Sequence, residues 1–281
     1  FRPYVGTEQT FYTATNEEDN QLRGIFKTGA SLSTKFYRIF DAQFDEWGLE
    51  INRLRHIITP SIDYSFNNGP TLPNSELFLF DEFDDRSLSH TVTFSLENKL
   101  QTKRNDQSVD LLRAVLSSPF RLKEDPEGGG FDGVSLDVDF QPLDWFTLYF
   151  DSTYDTRQER LSTANFDLYI NPPDSKWSGS IGKRYNREVD DQITARLNYQ
   201  INPKWGISVY DRFDVDQGTQ KELDINLTRD LHSWIMDINF NETRGEGSEI
   251  LLLFTLKAFP EVGIDVGTSF NKRKAGSQSF E

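Results

Sequence analysis

The feature that most constrains this chain is alternation. Apolar and polar residues exchange places at every step, over runs too long for most soluble strands. Leu88, His90, Val92, Phe94 and Leu96 alternate with Ser89, Thr91, Thr93, Ser95 and Glu97. Val134, Leu136, Val138 and Phe140 alternate with Ser135, Asp137, Asp139 and Gln141, and Phe146, Leu148 and Phe150 continue the pattern. It returns at Ile193, Ala195, Leu197, Tyr199 and Ile201, at Leu223, Ile225 and Leu227, and at Trp234, Met236, Ile238 and Phe240. Successive side chains of a strand point to opposite faces, so each run reads as a strand with one apolar and one polar face. Ser108 to Ser117 (SVDLLRAVLS) also suits a short amphipathic helix, but Val109, Leu111, Arg113 and Val115 fit a strand, and a strand is expected.

The runs span roughly 9–12 residues, as a tilted strand crossing a bilayer requires, whereas soluble strands usually have about 5–6. From about residue 131, tight Pro-, Asn- and Asp-bearing turns such as Gln141-Pro142-Leu143-Asp144-Trp145 and Ile201-Asn202-Pro203-Lys204-Trp205 are expected to alternate with longer polar links. The expected fold is therefore all-β: an up-and-down antiparallel transmembrane β-barrel of about 14 strands. Trp145, Trp177, Trp205 and Trp234 fall at or near strand starts beside turns, where an interfacial aromatic girdle sits. A soluble β-sandwich also alternates; strand length, links and aromatic placement favour the barrel.

Composition then makes sense. Only 36% of the 281 residues are apolar, and the net charge is −15. Mean hydropathy is −0.61. A disordered acidic chain would not carry 14% aromatics. In a membrane barrel one face of each strand is apolar and the other meets water, so no long apolar run is needed. The acidic balance argues against nucleic acid, and the absence of Cys removes disulfides, thiol nucleophiles and Cys-ligated zinc. The sequence starts at Phe1 with no leader in view, which suggests a piece of a longer chain.

Several segments resemble the lipopolysaccharide-assembly outer-membrane proteins, the LptD family. They are Phe1 to Tyr12 (FRPYVGTEQTFY), Arg55 to Phe66 (RHIITPSIDYSF), Asp230 to Trp234 (DLHSW) and Leu251 to Pro260 (LLLFTLKAFP). The most telling is the spacing of Arg55, His56, Pro60 and Tyr64; Asp230, His232 and Trp234 resemble the family's late turn. The resemblance implies that residues 1–281 are the C-terminal part of a larger barrel. It also implies insertion of lipopolysaccharide into the outer leaflet of a Gram-negative outer membrane through a lumen and a lateral gate. The implied partners are lipopolysaccharide, outer-membrane lipids, an LptE-like plug lipoprotein and, through an N-terminal domain absent from this sequence, an LptA-like periplasmic bridge protein. Ser233 stands where the family turn often carries Cys, so no disulfide can form there. The resemblance ends the last strand near Ala258, whereas alternation at Val262, Ile264, Val266, Thr268 and Phe270 reads as one more strand; residues 261–281 are a last strand or a periplasmic tail. An incomplete barrel leaves unpaired edges, and these residues are not expected to fold alone.

Chemistry of the covalent kind has little support. His56, His90 and His232 lack metal-ligand spacing. His232 and Ser233 are neighbours, and adjacent strand residues point apart, so no Ser–His pair forms. No enzyme activity, metal or cofactor is expected. Asp81-Glu82-Phe83-Asp84-Asp85 is an acidic loop that lacks EF-hand spacing, read as solvated or as a weak divalent-cation site. Gly128-Gly129-Gly130 precedes Phe131-Asp132 and is no phosphate loop. Lipopolysaccharide is anionic, so Arg184, Arg187, Arg196, Arg212 or bridging cations would have to offset the acidic balance. Ile250, Leu251, Leu252, Leu253, Phe254 and Leu256 break strict alternation. A strand apolar on both faces packs on both sides or meets lipid on one and acyl chains on the other; this is the candidate lateral-gate strand. The alternative function is a porin or substrate-transporter barrel, and a more remote one a barrel hydrolase.

Overall fold

The computed structural model describes residues 1–16, 19–46, 48–77, 87–122, 125, 128–258 and 263–269. Among the described residues seventeen strands belong to one sheet, and the one helical element is a 3-10 turn at Asn74–Glu76. The chain divides into two units, Phe1–Val138 with Ser152–Leu161, and Asp139–Asp151 with Ser162–Glu281. Strands β8 (Gly133–Leu143), β9 (Phe146–Asp155) and β10 (Arg160–Ile170) contribute residues to both.

The first unit holds β1 (Arg2–Ala14), β2 (Asp19–Ser33), β3 (Phe36–Phe44), β4 (Ile51–Asn67), β5 (Ser89–Arg104), β6 (Gln107–Arg121) and β7 (Gly130–Phe131). The segment that also suited a helix, 108–117, lies inside β6 and is a strand. β2 and β3 are two halves of one pass. Both run antiparallel to β4 in a continuous register, Ser33 opposite Ser61 and Phe36 opposite Ile58. The break falls opposite Pro60. Its carbonyl accepts the Thr34 N–H at 3.3 Å, but proline has no N–H to return. Similarly β7 and β8 both pair with β6. Merging these two breaks leaves 17 − 2 = 15 passes, close to the expected number.

The second unit continues with β11 (Trp177–Asn186), β12 (Asp190–Asn202), β13 (Trp205–Asp214), β14 (Thr219–Asp230), β15 (Trp234–Thr243), β16 (Gly247–Leu256) and β17 (Gly263–Ser269). From β10 to β17 each strand pairs antiparallel with the next, a pure up-and-down meander. The all-β, up-and-down antiparallel expectation therefore holds. Residues 263–269 form a strand on β16 rather than leaving the sheet at 258.

One expectation fails. The two rims do not alternate between tight turns and long loops. Links at 156–159, 187–189, 215–218 and 244–246 are three or four residues, barely longer than the two or three at 144–145, 203–204 and 231–233. The strands simply run further into the polar segments than the alternation suggested. Glu222, for example, still pairs with Thr243 at the end of its ladder. Among the described residues the longest link in this unit, 171–176, lies on the rim that was expected to be tight. That same rim carries Trp145, Trp177, Trp205 and Trp234, the last three as first residues of their strands.

The sheet barely has an interior. Among the described residues Ile25, Leu72, Leu77 and Leu111 are the buried apolar side chains. By contrast Leu197 is 52% exposed and Ile181 48%, and Ile193, Tyr199, Ile201 and Ile250 are also exposed. Soluble monomers rarely expose so many large apolar side chains on one sheet face. The acidic loop at 81–85 lies outside the described residues.

Candidate functional site

Register assembles the polar residues of the second unit into rows. Ser178 faces Asn198, which faces Ser208, which faces Asn226, which faces Asn239. Their side chains bond along the row. Asn198 Nδ2 donates to Ser178 Oγ at 3.1 Å, and Asn226 donates to Asn239. Thr228 Oγ1 donates to Asp237 Oδ1 at 2.6 Å and lies 2.8 Å from Asn226 Oδ1. At the Trp-bearing rim this face deepens into a recess of about 480 Å³, bordered by Ser178, Asn198, Asn226 and Asp230 with Lys176 and Lys204 at its margin.

Further along lie the charges. Arg212 pairs with Glu222 at 3.0 Å and Arg184 with Asp167 at 2.6 Å. Gly182 sits beside that pair, and a Cβ there would come within 2.8 Å of Asp167 Oδ1 and 2.7 Å of Thr194 Oγ1, so those side chains would have to shift. Arg196 stands over the Tyr210 ring at 4.8 Å, and Arg187 lies near Tyr185 at 6.0 Å. Arg184 and Arg212, two arginines expected to attract an anion, are thus engaged with carboxylates of the sheet. The face carries amides, hydroxyls and local ion pairs, groups that exchange hydrogen bonds with water or sugars. No group of three His, Cys, Asp or Glu among the described residues is arranged to hold a metal ion.

Asp230 lies beyond the apolar band of β14 that ends at Leu227. Both its carboxylate oxygens accept from Lys257 Nζ at 2.6 Å, and Oδ1 also accepts the His232 backbone N–H at 2.9 Å. These hold its carboxyl below the ordinary carboxylate range, the Lys257 bond most of all. His232 itself sits at φ 70° in the turn, and Trp234 opens β15 opposite Leu256. Thus Asp230, His232 and Trp234 build a turn, and their contacts are structural.

On β4, His56, Pro60 and Tyr64 share one face and Arg55 the other. Arg55 Nε donates to Gln101 at 2.8 Å. His56 Nε2 lies 3.3 Å from Asn98 Oδ1. Tyr64 Oη is 3.0 Å from His90 Nε2, the rings edge to face with centroids 5.5 Å apart. His90 is an aromatic partner within the sheet.

The gate candidates fall on both faces of β16. Ile250, Leu252 and Phe254 stand opposite Phe240, Ile238 and Met236 on the apolar face, where Leu256 faces Trp234. Leu251 and Leu253 stand opposite Asn239 and Asp237, within the polar rows. β16 is bonded over its whole length to β15 and over Glu249–Thr255 to β17.

Sequence reasoning did not single out the Ser178–Asn239 row. Its members were visible as polar steps of the alternation, but only the register shows that they line up.

No protein-family model matches the chain, and no curated relative matches it. Among solved structures it is similar to a triple mutant of the Rhodopseudomonas blastica porin (TM-score 0.38, 7% identity), covering 95% of this chain and 93% of that one. A second mutant of the same porin gives a TM-score of 0.37 at 8% identity, again over 95% and 93%. Likeness at this level says only what the chain is similar to; its function has to be read from its own residues.

Proposed function

We propose that this chain is wall of an outer-membrane β-barrel whose polar face borders a water-filled passage, a conduit of the porin or transporter type. The observation that carries the reading is the two-faced sheet. Strands of 10–13 residues from β9 to β16 expose Ile181, Leu197 and Ile250 on one side and gather amides and ion pairs on the other. A lipid-facing surface with a hydrated lumen behind it accounts for both. Transport then needs no covalent chemistry, only a path. The test is conductance of the full-length protein in planar bilayers. Arg196→Glu should raise cation selectivity, because that guanidinium stands in the polar rows. Selectivity equal to that of the unmodified protein would remove Arg196 from the passage.

A second reading is favoured by one observation, the placement of Leu251 and Leu253 among polar rows. On this reading the conduit carries lipopolysaccharide, and β16 offers acyl chains an apolar stripe beside the lumen. Opening would break the shorter β16–β17 ladder. Its partners would be lipopolysaccharide, an LptE-like plug and an LptA-like bridge. Leu251→Asp with Leu253→Asp distinguishes the two. Slower arrival of lipopolysaccharide at the cell surface supports the second reading; normal arrival with altered solute conductance supports the first.

A further inference from the structure

The recess at the Trp-bearing rim is where the polar rows stop bonding to one another. Further along the sheet Asn226 donates to Asn239 and Asn241 to Asp224. In the recess, Asn198 uses its Nδ2 on Ser178 and presents its Oδ1. Gln200 Nε2 donates to the Trp205 carbonyl at 2.9 Å, and its Oε1 lies 3.4 Å from where a Gly206 Cβ would stand. Gly206 brings no side chain to the floor between Gln200 and Thr228, its cross-strand neighbours. The Ser208 hydroxyl, the Asn171 amide and the ammonium groups of Lys176 and Lys204 have no hydrogen-bond or ion-pair partner among the described residues, and all four residues line the recess. The Asp230 carboxylate at its edge is offset by Lys257. The recess is therefore locally cationic in a chain of net charge −15. Its volume of about 480 Å³ lies within the range of small-molecule sites.

We infer that this recess is a capture site for a small diffusing solute, a monosaccharide that carries one anionic group. Its ring hydroxyls meet Ser208, Asn198 and Gln200, and its anionic group meets Lys176 and Lys204. A sugar hydroxyl both donates and accepts, and the recess offers a hydroxyl, an amide oxygen of Asn198 and one of Gln200 within two neighbouring rows. Amides and hydroxyls alone would take any sugar; the two ammonium groups favour one with a negative charge. Cations at the edge of a passage also raise the local concentration of anions and speed their capture. A bare inorganic anion would use the lysines and leave the amides and the hydroxyl to water.

The inference rests on the conduit reading of the polar face, and the experiment separates the two. Binding of D-glucuronate, D-glucose 6-phosphate, D-glucose and inorganic phosphate to the full-length protein in detergent is measured by calorimetry. The same solutes are added to planar bilayers while the open-channel current is recorded. Glucuronate, glucose 6-phosphate or both should bind and interrupt the current, and the tighter of the two tells whether a carboxylate or a phosphate is preferred. Lys176→Met with Lys204→Met should weaken that binding about thirty-fold. Gly206→Val, which fills the floor, should abolish it. Gln192→Ala, on the same face toward the opposite rim, should change nothing. Equal binding of glucose or of inorganic phosphate would overturn the inference, as would a lysine variant that binds like the unmodified protein. Conductance with no binding of either anionic sugar would sink the site alone; binding that follows the variants in a protein without conductance would support the site and sink the conduit reading.

Discussion

Asp230 and Gly29 show how single residues hold the sheet. With its pKa lowered by Lys257 and the His232 N–H, Asp230 contributes stability that is present above the unfolded-state value and lost as pH falls through the folded one. Lys257→Met should move the Asp230 titration upward toward the ordinary range, read by carboxyl NMR, and unfolding on acidification should begin at higher pH. An unmoved titration would mean the backbone contact alone suffices. Gly29 lies under Tyr4, whose hydroxyl reaches Ser65 Oγ at 3.2 Å. A Cβ there would collide with the Tyr64 carbonyl oxygen and the Tyr4 ring, an aromatic side chain covering a strand glycine. Gly29→Val should cost about 1–3 kcal/mol in denaturant unfolding of the full-length protein. Tyr4 and Tyr64 both fall in the segments resembling the LptD family, and nothing in the sequence signals that a glycine between them in space lies under one and against the other's carbonyl.

At the scale of elements, strand type was legible and strand ends were not. Alternation at Leu88–Leu96 and Ile193–Ile201 predicts strands because period two has no helical counterpart. The polar ends of β14 and β15 hide in the same alternation, since Gln, Lys and Glu pair across a rim as readily as they form a loop; hence the failed loop expectation. The break between β2 and β3 is likewise invisible until Pro60 is seen opposite Thr34. Pro60→Ala should supply the missing N–H. In that variant the new amide at position 60 should be protected from hydrogen exchange, and exchange around Thr34 should slow. An unprotected amide at position 60 with unchanged exchange at Thr34 would place the cause of the break elsewhere. The gate candidates divide by face because β16 keeps strand geometry through Leu251–Leu253. What alternation loses there is composition, not structure.

Across the whole molecule, the account turns on what each face of the sheet meets. The charge of −15 and the low mean hydropathy first describe a polar chain; the structure redistributes those residues into polar rows and rims and leaves an exposed apolar face behind. The polar rows were not legible in advance, because the two ends of a row, such as Ser178 and Asn239, lie far apart in sequence and only four successive registers join them. The chain contains no Cys, so single cysteines can be placed along β12 of the full-length protein without background. In native outer membranes, a water-soluble thiol reagent should label cysteines placed at Thr194, Arg196, Asn198 and Gln200, and not at Ile193, Ala195, Leu197 and Tyr199. A lipid-dissolved quencher should show the reverse order. Uniform labelling along the strand, or labelling strongest at Leu197, would contradict the two-faced membrane wall.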